Sequence, residues 1–251
     1  MFPLTYNRVE VYKQTRDHYK NVPTVESIVN RRSNEITFKE MESLSYNYPK
    51  QVIAPVINKD CVYVALDYVE RGFHPILLNM SSWRCPGGGV KSGASAQEEE
   101  LFRRSNYFKH LHEKYYPFRN YDTIVSKGVE FLRSGSDKGY TSLSKPFKID
   151  CIAAPALRNP QLSSSYDDFG NEEDIYRMEQ KIRVLLYTAA KNGNDSIILS
   201  AWGCGAFGCP PKGVAGLFKK VLKEFAGVFR ETPFAIIGAN FQPFFEEFQT
   251  I

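Results

Sequence analysis

The sequence predicts an α/β fold with a largely parallel or mixed sheet. Three observations carry that expectation. From Asn58 onward, short apolar runs alternate with amphipathic segments at helical spacing. Two glycine-rich loops each follow an apolar run, and sheets of this class bind ligands at the carboxyl ends of their strands. No linker-like stretch interrupts the alternation. Residues 51–251 therefore read as one domain, and residues 1–50, polar and aromatic-rich, as an N-terminal accessory extension packed on it.

The elements follow in order. Val9 to Tyr19 is expected as a short helix, and Thr24 to Asn30 as another. Val62, Ala65, Leu66 and Val69 recur at helical spacing, with Gly72 placed as a C-terminal cap. Pro75 to Met80 reads as a buried strand. A glycine loop follows it, then a helix from about Ser95 to His112. Thr123 to Phe131 and Phe147 to Ala154 are strands, with Ser134 to Ser144 a surface loop between them. Asn159 to Asn171 is a second loop. Ile175, Met178, Ile182, Leu185, Leu186 and Ala189 mark a long amphipathic helix that stops near Gly193. Ile197 to Trp202 is a strand and Gly203 to Gly208 a second glycine loop. Pro210-Pro211 opens a helix that carries Val214, Leu217, Phe218, Val221, Leu222 and Phe225 on one face. Phe234 to Ala239 is the last strand. No internal repeat of fixed period is visible.

Composition narrows the class. The chain has 251 residues, 43% hydrophobic and 24% charged, as in an ordinary soluble globular protein. That excludes collagen, coiled-coil rods and long disordered tails. The net charge of +4 allows an anionic ligand without demanding one, and direct DNA binding is not expected. Five cysteines with no C-x-x-C pair argue against a secreted disulfide framework. The four histidines make no zinc pattern with them, so no metal is expected. Met1 to Glu10 lacks the apolar core of a leader peptide, and no apolar run approaches the ~20 residues of a bilayer span. The expectation is an intracellular protein, cytoplasmic or nuclear, with no membrane contact.

The first glycine loop is Gly87-Gly88-Gly89, followed by Val90. Three glycines let a backbone approach a ligand closely and turn its N–H groups towards phosphate. A flexible surface turn is the plainer alternative. The second loop, Gly203 to Gly208, fits G-x-G-x-x-G and so suggests a dinucleotide crevice. Against that, the strand Phe234 to Asn240 has no acidic residue at its end to hold a ribose. The Pro210-Pro211 pair also delays the following helix. Two glycine loops on one sheet suggest instead that both grip a single diphosphate at helix N-termini. Phe207 is then either a face for adenine or ribose, or a core aromatic.

Ser95-Ala96-Gln97-Glu98 has the form of a capping box, which explains Glu98 structurally. A chemical reading also exists. Successive helical residues point ~100° apart, so one glutamate can hold a ribose hydroxyl while the next faces a reacting bond. Glycosidic cleavage needs an acid for the leaving oxygen and stabilisation of an oxocarbenium-like centre. Glycosidases usually use two separated carboxylates. Adjacent ones suit a single glutamate that is first acid and then base.

These residues resemble the bacterial-type (microbial) poly(ADP-ribose) glycohydrolase family, a macrodomain-like group. The likeness rests on LNMSSWRCPGGG from Leu78 to Gly89, seven residues of spacer, and the triplet Gln97-Glu98-Glu99. AWGCGAF from Ala201 to Phe207 and IDCIAAP from Ile149 to Pro155 extend it over almost the whole chain. The resemblance implies a macrodomain-like mixed β-sheet flanked by helices, with an N-terminal helical extension. It makes Glu99 the catalytic acid/base and gives Glu98 the hydroxyls of the adjoining ribose. Gln97 would position the loop. Gly87, Gly88, Gly89 and Val90 would line one side of the diphosphate, and Gly203, Cys204, Gly205 and Ala206 the other. Phe207 would pack on ribose or adenine, and Ser82 would face the distal ribose. Trp83 departs from the small residue usual in the family. The implied reaction is hydrolysis of ribose–ribose bonds in poly(ADP-ribose), exo-acting, with ADP-ribose released. No cofactor is implied, the partners are the polymer or ADP-ribosylated proteins, and a monomer is expected. A mono-ADP-ribosyl-protein hydrolase and a silent ADP-ribose reader are the alternatives. The intact Gln97-Glu98-Glu99 triplet speaks against the reader.

Overall fold

The computed structural model describes residues 6–249; Met1 to Thr5 of the expected extension and Thr250-Ile251 of the expected domain lie outside them. The elements are α1 (Arg8–His18), β1 (Ile28–Asn30), α2 (Phe38–Glu42), β2 (Val56–Ile57), α3 (Cys61–Glu70), β3 (Pro75–Met80), α4 (Gln97–Arg104), β4 (Thr123–Arg133), β5 (Ser142–Ala154), α5 (Glu172–Lys191), β6 (Ser196–Ile198), α6 (Pro211–Glu224), β7 (Phe234–Ala235) and α7 (Phe241–Phe248).

The five-stranded sheet runs β1-β4-β5-β3-β6. The pairs β1·β4 and β4·β5 are antiparallel, while β5·β3 and β3·β6 are parallel. Single parallel bridges, Ser196 to Glu231 and Leu199 to Phe234, lead on to β7, which pairs in parallel with β2. The sheet is therefore mixed, as expected. Its parallel centre explains why β3 opens as a continuous apolar run: Ile76, Leu77 and Leu78 are buried between layers on both faces. Because β5, β3 and β6 run the same way, the loops after Ala154, Met80 and Ile198 leave from one edge. That is what brings the two glycine loops together.

Two cores flank the sheet. On one face α5, α6 and α7 pack Met178, Ile182, Leu185, Phe218, Val221 and Phe244 against it. On the other, α3 and α4 contribute Val62, Ala65, Leu101 and Phe102. The expected helices at α1, α3, α5 and α6 form. Asp60 caps α3 through the amides of Val62 and Tyr63, and Gly72 beyond its end has φ +78°.

Four expectations need correction. Thr24 to Asn30 is not a helix. The β-branched pair Ile28-Val29 extends along β4 and closes the sheet edge. The helix expected from Ser95 to His112 ends at Arg104. Ser105 turns extended and bridges Phe131, and Glu130 N donates to Asn106 Oδ1, so β4 claims the polar pair that follows α4. The loop between β4 and β5 is shorter than Ser134 to Ser144, because β5 begins at Ser142. The strands expected over 197–202 and 234–239 are only three and two residues long. Gly238, with φ +76°, ends the latter stretch and α7 follows it.

Candidate active site

The site begins at the start of α4. Its N-cap is Ala96, and no side chain caps it. The capping box expected from Ser95 and Glu98 is therefore absent. The carboxylates of the first turn serve the neighbouring loop instead, where more donors are available.

Glu98 is 3% exposed and accepts four hydrogen bonds: from Ser82 N at 2.7 Å, Gly87 N at 3.2 Å, Asn79 Nδ2 at 3.3 Å and Ser81 Oγ at 3.1 Å. Three of these fall on Oε1 and only the Ser82 bond on Oε2, so Oε2 keeps an acceptor position. Burial pushes its carboxyl up to about 7, against the pull of the donors from Ser82, Asn79 and Gly87; the neighbouring Glu99 charge adds to the rise.

Glu99 is held differently. Its Oε1 accepts from Gly89 N at 2.8 Å, while its buried Oε2 has no partner. Both glutamates line a cavity of about 150 Å³. Gln97 fastens α4 to β3: Oε1 accepts from Met80 N at 2.8 Å and Nε2 donates to Leu78 O at 2.6 Å.

The glycine loop fits around these carboxylates. A side-chain carbon on Gly87 would lie 2.6 Å from the Phe102 ring, and one on Gly89 would lie 2.8 Å from Ala94 Cβ. Of the residues expected to line the cavity, Ser82, Gly88, Gln97, Glu98, Glu99, Gly203, Gly205, Ala206 and Phe207 do so. Four do not. The amides of Gly87 and Gly89 are spent on Glu98 and Glu99. Val90 is buried in the core, because a three-residue 3-10 turn folds it inward. Cys204 packs against the other core, with its thiol on Trp202 O.

Free donors remain. The amides of Gly88, Gly205, Ala206 and Phe207 have no partner among the described residues. Three successive amides of this kind make a concavity for an anion. Behind them Trp202 is buried, with Nε1 donating to Ala154 O at 3.0 Å.

Sequence reasoning did not single out Asn79 or Ser81 as residues that hold Glu98, nor Ala156 as cavity wall. An asparagine inside the apolar run of β3 was the available signal, since a buried amide must find a partner. Ala156 carries no signal. Among the described residues, no group of three His, Cys, Asp or Glu is placed to hold a metal ion. Nor is any helix among them long and apolar enough to cross a membrane.

The comparisons with known proteins agree with one another. A family model described as "Microbial-type PARG, catalytic domain" matches residues 5–132. The fold is similar to that of poly(ADP-ribose) glycohydrolase from Thermomonospora curvata, with TM-score 0.82 and 23% identity over 96% of this chain and 99% of that one. It is also similar to the same enzyme bound to the inhibitor ADP-HPD, with TM-score 0.76 and 22% identity over 96% and 99%. The Deinococcus radiodurans enzyme in complex with ADP-ribose aligns with TM-score 0.75 and 24% identity over 96% and 98%. No curated protein matches the chain.

Proposed function

The chain belongs to the microbial-type poly(ADP-ribose) glycohydrolase family, and from that premise we propose how its cavity performs the reaction. The protein is a glycosidase that hydrolyses the ribose–ribose O-glycosidic bonds of poly(ADP-ribose) and releases ADP-ribose. The observation that carries the mechanism is the carboxyl of Glu99, with Oε1 held by Gly89 N and Oε2 buried without a partner.

The general acid of this scheme is Glu99, acting through Oε2. It protonates the leaving ribose oxygen as the bond from that oxygen to the anomeric carbon breaks, and the bonding electron pair stays with the oxygen. The anomeric carbon becomes oxocarbenium-like. Water adds to it and gives its proton to the Glu99 carboxylate, which restores the acid. One water is consumed per bond. The free amides of Gly88, Gly205, Ala206 and Phe207 hold the diphosphate and so fix the ribose against Glu99. Phe207 walls the cavity, where it can pack on ribose or adenine. Glu98 is a positioning residue whose carboxyl ties Ser82 and Gly87 to α4, and its Oε2, which accepts only from Ser82 N, is the atom left to take a ribose hydroxyl.

The D. radiodurans relative was crystallised with ADP-ribose, which supports ADP-ribose as the bound product here. Exo action is the mode the family resemblance implies. An intracellular location, cytoplasmic or nuclear, fits five cysteines that are all free.

The test compares wild type with Glu99→Gln on purified poly(ADP-ribose) and on mono-ADP-ribosylated protein. Loss of general acid–base catalysis is expected to slow release of ADP-ribose from polymer by about 10²–10⁴-fold, with ADP-ribose still bound. Release from polymer that survives Glu99→Gln sinks the mechanism. Release from the mono-modified protein alone moves the substrate to that class.

A further inference from the structure

A second, larger cavity adjoins the first. It measures about 370 Å³ against about 150 Å³ and shares Ala156 as a wall. Its rim carries Trp83, which directly follows the cavity residue Ser82. Its sides carry Arg119, Arg158 and Arg177, and its floor Lys181.

The charge here is unusual. None of the three guanidinium groups has an ion-pair partner among the described residues. Lys181 is buried and donates to the backbone carbonyls of Asn120 and Pro155, not to a carboxylate. The one acid in the lining, Asp174, is occupied: its Oδ2 accepts from Gln161 N and Asn171 Nδ2, both at 2.9 Å. Four basic side chains against the single carboxylate of Asp174 leave the lining net positive, and an arriving anion is drawn to it. Trp83 is 37% exposed, with the Arg84 guanidinium 5.4 Å from its ring centre. An exposed indole backed by a cation is a stacking platform for a nucleobase.

We infer that this basic groove is a second subsite, which holds the diphosphate and adenine of the next ADP-ribose unit while the terminal unit is cleaved. The inference rests on the polymer being the substrate. Each unit of that polymer carries its own diphosphate, so once the terminal unit fills the catalytic cavity the next one must leave across a rim. The rim at Ser82-Trp83 and Ala156 is where unpaired positive charge waits. Arg158 and Arg177 grip the phosphates, Arg119 closes the outer side, and Trp83 stacks on the base.

The decisive measurement is binding by the Glu99→Gln protein, which separates affinity from turnover. Calorimetry compares ADP-ribose, which has one unit, with size-fractionated poly(ADP-ribose). Arg158→Ala with Arg177→Ala is expected to weaken polymer binding by about tenfold or more and to flatten its salt dependence, because phosphate contacts release counterions. ADP-ribose affinity is expected to stay within about twofold, since its own phosphates lie on backbone amides. Arg158→Lys with Arg177→Lys keeps the charge and restores most of the polymer affinity. Trp83→Ala weakens polymer binding and leaves the salt slope unchanged. Equal polymer affinity in parent and double variant overturns the subsite. So does a parallel fall in ADP-ribose affinity, which assigns the arginines to the first cavity. If wild type fails to hydrolyse polymer, the catalytic reading fails by itself, and the polymer-against-monomer difference still decides the groove.

Discussion

A side-chain carbon placed on Gly88 would lie 2.5 Å from Oε1 of Glu99. The middle glycine of the first loop is thus required by the carboxylate it faces, and its φ of +48° adds a second reason for glycine. Oε1 is also the atom that Gly89 N holds, so a methyl group here pushes the acid off its donor.

Gly88→Ala is therefore expected to lower kcat by about 10²-fold or more, as small misplacements of a reacting group do. The fold should survive, because the loop lies at the surface of the sheet edge. Near-wild-type circular dichroism with lost ADP-ribose release would bear this out. Full activity in Gly88→Ala would mean that Glu99 does not act from the position described.

Gln97 supplies a second, isosteric test. It accepts from Met80 N and donates to Leu78 O, two groups with opposite needs. Gln97→Glu keeps the size and turns the donor into an acceptor, which then faces a carbonyl. A buried polar group left unsatisfied costs about 1–3 kcal/mol. Melting should fall, and activity with it, because Gln97 joins the first turn of α4 to the end of β3. An unchanged melting temperature would show that this clasp carries no weight.

Much of this site was legible in the sequence because its chemistry is local. Gly87 to Gly89 and Gln97 to Glu99 are close along the chain, so spacing alone sets them side by side. What spacing could not show is where donors go. The capping-box pattern at Ser95 was a sound local reading, yet the loop offers Glu98 four donors and the helix end does not. Val90 looked like part of a phosphate loop, and a 3-10 turn buried it. In the fold, long strongly periodic helices read correctly, while α4 failed because Ser105 and Asn106 are claimed by a strand distant in sequence. The helix α7 was readable after all: Phe241, Phe244, Phe245 and Phe248 follow helical spacing, and Phe244 and Phe248 pack on Phe234.

The N-terminal helix is tied to the core through Thr15. Its hydroxyl donates to Arg103 O at 2.6 Å and accepts from Arg133 Nε at 3.0 Å, fully buried. Thr15→Val keeps the shape and removes both bonds. The expected loss is about 1–3 kcal/mol. At this chain length each kcal/mol moves melting by about 2–4 °C. A melting temperature within a degree of wild type would show that α1 is an appendage and not part of the folded unit.

Two buried groups give the protein opposing pH dependences. Glu98 has its carboxyl pushed up by burial from an ordinary 4.5 to about 7. Between those values the folded state binds more protons than the unfolded one, so stability falls as pH rises and the loss is complete above about 7. His110 is also buried, with both ring nitrogens unpartnered, and burial pulls it down from 6.5 to about 4. There the unfolded state binds more protons, so stability rises with pH through that window. The two slopes cancel in part between pH 4.5 and 6.5, and a melting profile of the wild type alone cannot separate them. The difference between wild type and Glu98→Gln can. Glu98→Gln should be destabilised at every pH, because its amide turns N–H groups towards existing donors. The gap should be larger at pH 5 than at pH 8, by at most about 3 kcal/mol for a shift of this size. His110→Phe should show the reverse trend, with the larger gap at pH 8. A gap for Glu98→Gln that does not change with pH would mean that Glu98 titrates in the folded protein as it does in the unfolded chain.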